Sequence, residues 1–183
     1  QGLWATHYLI VSLNLTQMLA SELSMLIGVG VIFGAPLIGL LVDHSTCNKI
    51  KVLVSMLFIN VLIWACLTFG IFNFRLVYVS VLLFFMGFNM GGITAILWPV
   101  FLEKIPYHLS VSLTGVLNVT PFLGAGLLQF ITGMLMDRIG RIDGEYPIEA
   151  FQLAFLACFV TTVFCFIVTL VGAATLENRS RAN

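Results

Sequence analysis

Charged residues are what this 183-residue chain has least of. Asp, Glu, Lys and Arg together make up 9% of it, while 60% is hydrophobic and the mean hydropathy is +1.09. A soluble globule of that composition could not present a wettable surface, so a free-standing water-soluble domain is excluded. The eight acidic and eight basic residues cancel, which leaves no basic face for phosphate and removes nucleic acid as a partner. Cysteine is scarce and shows no pairing pattern. Cys66, Cys158 and Cys165 lie in apolar runs, Cys47 lies in a polar stretch, and no CxxC or metal-ligand spacing occurs. They read as packing residues, with no metal and no cofactor implied. No signal peptide is expected at this end: the chain opens at Gln1, with no Met and no basic segment ahead of an apolar core. It is expected to be part of a longer protein.

What is present is a series of long apolar runs. A hydrocarbon core of about 30 Å needs roughly 20 apolar residues per helix. Residues 23–42, 52–72, 76–102, 111–136 and 150–176 each reach about that length without an Asp, Glu, Lys or Arg inside. Residues 1–9 are too short to span and read as the end of a clipped helix, followed by a polar connection through Asn14, Thr16, Gln17, Ser21 and Glu22. The expected fold is all-α, a polytopic membrane bundle of six helices. Short loops make neighbouring helices antiparallel and leave each backbone satisfied within its own helix. Lys49, Lys51, Lys104, Arg179 and Arg181 fall on one face; Arg75, Arg138 and Arg141 fall on the other with Asp137, Asp143, Glu145 and Glu149. The positive-inside rule then places loops 43–51 and 103–110 and the C-terminal tail in the cytoplasm.

One short motif occurs twice. Gly39-Leu40-Leu41-Val42-Asp43 is echoed by Gly133-Met134-Leu135-Met136-Asp137, and the two endings close the second helix of each group of three. Alternating helices put those endings on opposite sides of the membrane, the pattern of an inverted 3+3 repeat. The competing explanation is chance, because Gly, Leu and Asp are common where helices end.

With those residues in view the chain resembles the C-terminal six-helix half of the major facilitator superfamily. The family's loop reads Gly-x-x-x-Asp-Arg/Lys-x-Gly followed by further bases, and Gly39, Asp43, Lys49 and Lys51 match it. His44 stands where a base is expected and Thr46 where the glycine should be. Gly115, Asn118, Gly124, Gly126, Gln129, Gly133 and Asp137 resemble the family's eleventh helix, and the opening Gly2 to Leu9 resembles the end of its seventh. The resemblance implies half of a twelve-helix transporter whose missing N-terminal half completes a central cavity. It also implies a gate role for Asp43, whose carboxylate would hold the cytoplasmic helix ends together, against the plainer reading of a helix end meeting water. Asp137 with Arg138 would be the counterpart on the opposite face.

Polar residues within a lipid-facing run are costly unless they meet protein or water, so they are the binding candidates. Asn118 and Gln129 are eleven residues apart, about 20° around a helix, with Phe122, Ala125 and Thr132 on the same face and Pro121 freeing a carbonyl nearby. The stripe reads equally as a cavity lining or as an interhelical hydrogen bond. Asn89 and Trp98 fall on opposite sides of one helix, Asn89 as a hydrogen-bonding contact and Trp98, beside Pro99, as a gate or packing residue. Trp4, His7 and Tyr8 form either a cavity wall or an interfacial aromatic belt, and His7 could exchange a proton near neutral pH. Gly30 and Gly34 on one helix, and Gly87, Gly91 and Ala95 on another, allow backbones to approach closely. The second and last full spans, with only Asn60 or Gln152 as amides, are expected to face lipid.

The spans hold no carboxylate, so a coupling proton or sodium ion would be handled by His7, by Glu22 or outside this half. No enzyme is expected: the spans carry no base beside a nucleophile, no paired aspartates and no His/Glu cluster, and His108 near Ser110 and Ser112 lacks supporting context. The function expected is a secondary active transporter, a symporter or antiporter of the bacterial inner membrane, moving a small solute by alternating access. A non-transporting membrane subunit, or a degenerate fragment that packs against a partner, is the alternative.

Overall fold

The computed structural model describes residues 4–44, 48–69, 76–103, 105–142 and 144–182, with nothing assigned to the side chains of Tyr107 and 176–182. Among the described residues it is all-helical: α1 (Ala5–Leu13), α2 (Gln17–His44), α3 (Lys49–Phe69), α4 (Leu76–Leu102), α5 (Tyr107–Ile139) and α6 (Ile148–Ala182). Five of them, all but α1, are long and apolar enough to cross a membrane. The protein is an integral membrane protein.

Local chemistry sets the helix ends. Asn14 takes a left-handed conformation at φ 50° that closes α1, a geometry its short polar side chain tolerates better than most. The chain then turns so tightly that α2 begins at Gln17. Ser21 and Glu22, expected in a connection, therefore lie on its first turns. Asn48 caps α3 by accepting a hydrogen bond from the Ile50 backbone N–H through its side-chain oxygen at 2.9 Å. Gly140, at φ 84°, ends α5 and donates its N–H to the Met136 carbonyl. Within the helices, hydroxyls find acceptors on their own backbone: Thr94, Thr114, Thr120, Thr161, Thr162 and Thr169 each donate to the carbonyl four residues earlier. This satisfies the polar atom in a medium that offers it no water.

Packing runs in a curved row. The most extensive contact is α2 on α4; α4 then packs on α3, α3 on α6 and α6 on α5, while α1 lies across α2 and α6. The α2–α4 crossing is built on glycine. Gly30 and Gly34 lie against the backbone of Phe84 and Phe88, Gly87 against the carbonyl of Ile27, and Gly91 against Val31 and Ala35. A Cβ at any of the four would meet main chain rather than a movable side chain. Trp64 and Leu67 of α3, Tyr8 of α1, and Phe151 and Phe155 of α6 form the largest buried cluster. Tyr8 sits edge-on to both phenylalanines, with centroids 5.7 and 4.8 Å away. α5 stands apart, since Thr132 and Met136 are its only buried residues among the described side chains.

The helix ends define two faces. Lys49 at the start of α3 pairs with Glu103 just past the end of α4, which puts the α2–α3 and α4–α5 connections together on what we call the loop face. The α5–α6 connection lies on the opposite, turn face.

A polar cleft at mid-span

Because α5 touches the bundle chiefly through α6, a gap is left between it and the α3–α4 pair. That gap is a cleft of about 570 Å³, a size suited to a small solute. Its polar lining comes from Asn60 of α3, Gln129 and Thr132 of α5, and Thr161 and Thr162 of α6, with Trp64 and Trp4 at its sides. Asn60 lies nine residues before the end of α3, Gln129 ten before the end of α5 and Thr161 thirteen after the start of α6. At 1.5 Å per residue these are depths of about 14 to 20 Å below the turn face, near the middle of a roughly 30 Å hydrocarbon core. Among the described residues, the lining contains no Asp, Glu, Lys, Arg or His. What the cleft offers is amides able to donate and accept, threonine oxygens that accept while their protons go to their own backbone, indole rings for stacking, and the thiols of Cys158 and Cys165.

The expected stripe on α5 is divided. Gln129, Ala125 and Thr132 line the cleft, whereas Asn118 and Phe122 lie beyond it and are exposed, Phe122 at 77%. Asn89 lies elsewhere than expected of a substrate contact. It is 2% exposed and donates from Nδ2 to the Met56 carbonyl at 3.0 Å, an interhelical bond tying α4 to α3. Tyr8 is buried in the aromatic cluster, and Trp98 is half-buried away from the cleft. Asp43 is exposed at the end of α2, and Lys49 is bonded to Glu103 on the loop face. Gly39 has open space where a Cβ would stand, and Lys51 is exposed. Asp137 and Arg138 are both exposed at the end of α5, but the group bonded to Asp137 is Tyr146, which Arg141 joins in turn. The Tyr146 hydroxyl donates to Asp137 Oδ1 at 2.5 Å, and Arg141 donates to the same hydroxyl at 3.2 Å. That bond from the guanidinium to Tyr146 raises the Arg141 pKa above its ordinary value. Arg75, Lys104, Asp143, and Thr46 and Cys47 of the α2–α3 loop lie outside the described residues.

The expectation that α3 and α6 face lipid needs correction. Both supply cleft residues, because α6 is the helix on which α5 leans and α3 is packed beside it. Asn60, Thr161 and Thr162 were visible in the sequence as polar residues near the centres of apolar runs. Nothing in helical periodicity indicated that those two runs would be neighbours.

A smaller cavity of about 190 Å³ opens near the turn face, lined by Trp4, His7, Val11, Arg141, Glu145 and Tyr146 among others. His7 belongs to this vestibule and is absent from the cleft lining. No protein-family model, no curated protein and no solved structure matches the chain. The reading of the site therefore rests on its own geometry.

Proposed function

We propose that the chain is the C-terminal half of a secondary active transporter of the major facilitator type, carrying a small uncharged solute by alternating access. The observation that carries this reading is the mid-span cleft: polar side chains from three helices converge at a depth where a polar group is expensive unless it serves a path or a ligand. With no formal charge among the described lining residues, recognition rests on hydrogen bonds to and from the amides of Asn60 and Gln129 and to the threonine oxygens, with Trp64 offering a flat apolar face. Any coupling proton or sodium ion then acts away from the cleft, with His7 and Glu22 as the candidates in this half.

The helix pairing supports an inverted repeat in part. Mapping α1 onto α4, α2 onto α5 and α3 onto α6 sends the α3–α6 contact onto itself and the α3–α4 contact onto α6–α1, and all three contacts are formed, whereas the α1–α2 and α5–α6 contacts have no comparable counterpart in α4–α5 and α2–α3. The intimate α2–α4 crossing has a much looser partner in α5–α1, where Gly133 approaches only the edge of the Trp4 ring. A rocking mechanism uses such a difference between its two gates. The unburied faces of α5 are where the missing N-terminal half packs. The loop face, with Lys49 and Lys51, is cytoplasmic by the positive-inside rule in a bacterial inner membrane.

The test uses the cleft's own thiols. In a background with Cys47→Ser and Cys66→Ser, Cys158 and Cys165 of the complete protein are expected to react with a membrane-impermeant thiol reagent from either side of sealed vesicles. Failure to react from both sides overturns a water-filled transport path. It favours the second reading, a non-transporting subunit whose exposed α5 serves only to hold a partner.

A further inference from the structure

Among the described residues, Trp4 is the one that lines the mid-span cleft, the vestibule at the turn face and a small apolar cavity of about 50 Å³ enclosed chiefly by α1, α3, α4 and α6. The indole is therefore a shared wall. On its vestibule side it meets the Tyr146 ring edge-on, with centroids 6.1 Å apart and planes at 88°. Tyr146 is itself held at two points: its hydroxyl donates to Asp137 at the end of α5, and the Arg141 guanidinium both donates to that hydroxyl and stacks 4.7 Å above the ring. On the α5 side the ring faces Gly133, where a Cβ would stand 4.0 Å away. The indole Nε1–H is buried with no acceptor among the described residues. A donor in that state gains when the ring turns toward water or a polar ligand, so the closed position is one of two usable ones.

We infer that Trp4 is a plug separating the cleft from the turn face, and that Tyr146, pinned by Asp137 and Arg141, is the latch that holds it shut. The arrangement joins α1, the end of α5 and the start of α6, three segments that must move relative to one another if the cleft opens on this face. It rests on the reading of the cleft as a water-filled path, and it adds which residues close that path and on which side.

The measurement is the rate at which an impermeant thiol reagent, added only from the turn face, modifies Cys158 and Cys165 of the complete protein in the Cys47→Ser, Cys66→Ser background. Tyr146→Phe keeps the ring but removes both polar bonds. It is expected to raise that rate about tenfold, the effect of losing a charge-assisted hydrogen bond, while leaving the rate from the loop face unchanged. Trp4→Ala is expected to raise it further. Rates equal to the unsubstituted protein in both variants overturn the latch while leaving the cleft intact. An equal rise from both faces also overturns it, since that reports loosening of the whole bundle. Absence of modification from either face in every variant overturns the cleft itself. Where Trp4→Ala does not accumulate, Tyr146→Phe decides alone.

Discussion

A missing Cβ is what lets α2 and α4 cross as closely as they do. At Gly34 the added carbon would run into the backbone of Phe88, and backbone cannot step aside as a flexible side chain can. Gly28, on the same helix, has nothing within 4 Å of that position. The two glycines therefore respond oppositely to one substitution. Gly34→Ala is expected to cost about 1–3 kcal/mol or more through overpacking. Gly28→Ala is expected to be neutral or slightly stabilising, because alanine is the better helix former by about 1 kcal/mol. Thermal unfolding of the two variants in detergent checks this, and equal melting would show that the helices do not meet through backbone. Asn89 illustrates the opposite limit of residue-level reading. Its type and its place in an apolar run marked it as functional, yet its partner is the Met56 carbonyl. The chemistry was legible in the sequence; the identity of the acceptor was not.

For a whole helix, α5 shows how periodicity is informative and incomplete. The 3.6-residue repeat places Asn118 and Gln129 on one face correctly, but a face becomes a site only where other helices close over it. α6 and the α3–α4 pair do so around Gln129 and not around Asn118. Gln129→Ala is accordingly expected to weaken solute uptake about fivefold or more, the loss of at least one hydrogen bond worth about 1 kcal/mol. Asn118→Ala, outside the cleft, is expected to weaken uptake clearly less than Gln129→Ala does. Uptake kinetics in vesicles holding the complete protein make the comparison. Equal losses would place the substrate along the whole stripe rather than in the cleft. The apolar spans themselves were legible almost to their boundaries: the run expected at 76–102 is α4, Leu76–Leu102. The starts of α2 and α3 lie ahead of their runs, because the tight turn at Asn14 and capping by Asn48 are decided by local hydrogen bonding rather than by hydropathy, while α3 is described only to Phe69, short of the expected residue 72.

For the molecule as a whole, alternation of spans sets the two faces. The Lys49–Glu103 pair fixes which connections share one of them. As a solvated pair it contributes little to stability, but it is a useful marker. A small epitope inserted beside Asn48 and another at Gly144 in the α5–α6 turn are expected to be reached by antibody from opposite sides of sealed vesicles. Detection of both from one side would remove a span from the bundle and with it the antiparallel pairing that forms the cleft.

Composition and run length by themselves determined that this chain is a helical membrane protein with five spanning segments, because the bilayer leaves a backbone few ways to satisfy its polar groups. They also determined that no formal charge would stand within those segments, since the sequence places none there. Which spans became neighbours was decided only in three dimensions. Helix pairing depends on surface shape, as at the glycines of α2 and α4, and shape is a property of two helices at once. For that reason the contributions of Asn60 and Thr161 to one cleft, and the hold of Tyr146 on Trp4, are properties of the tertiary structure alone.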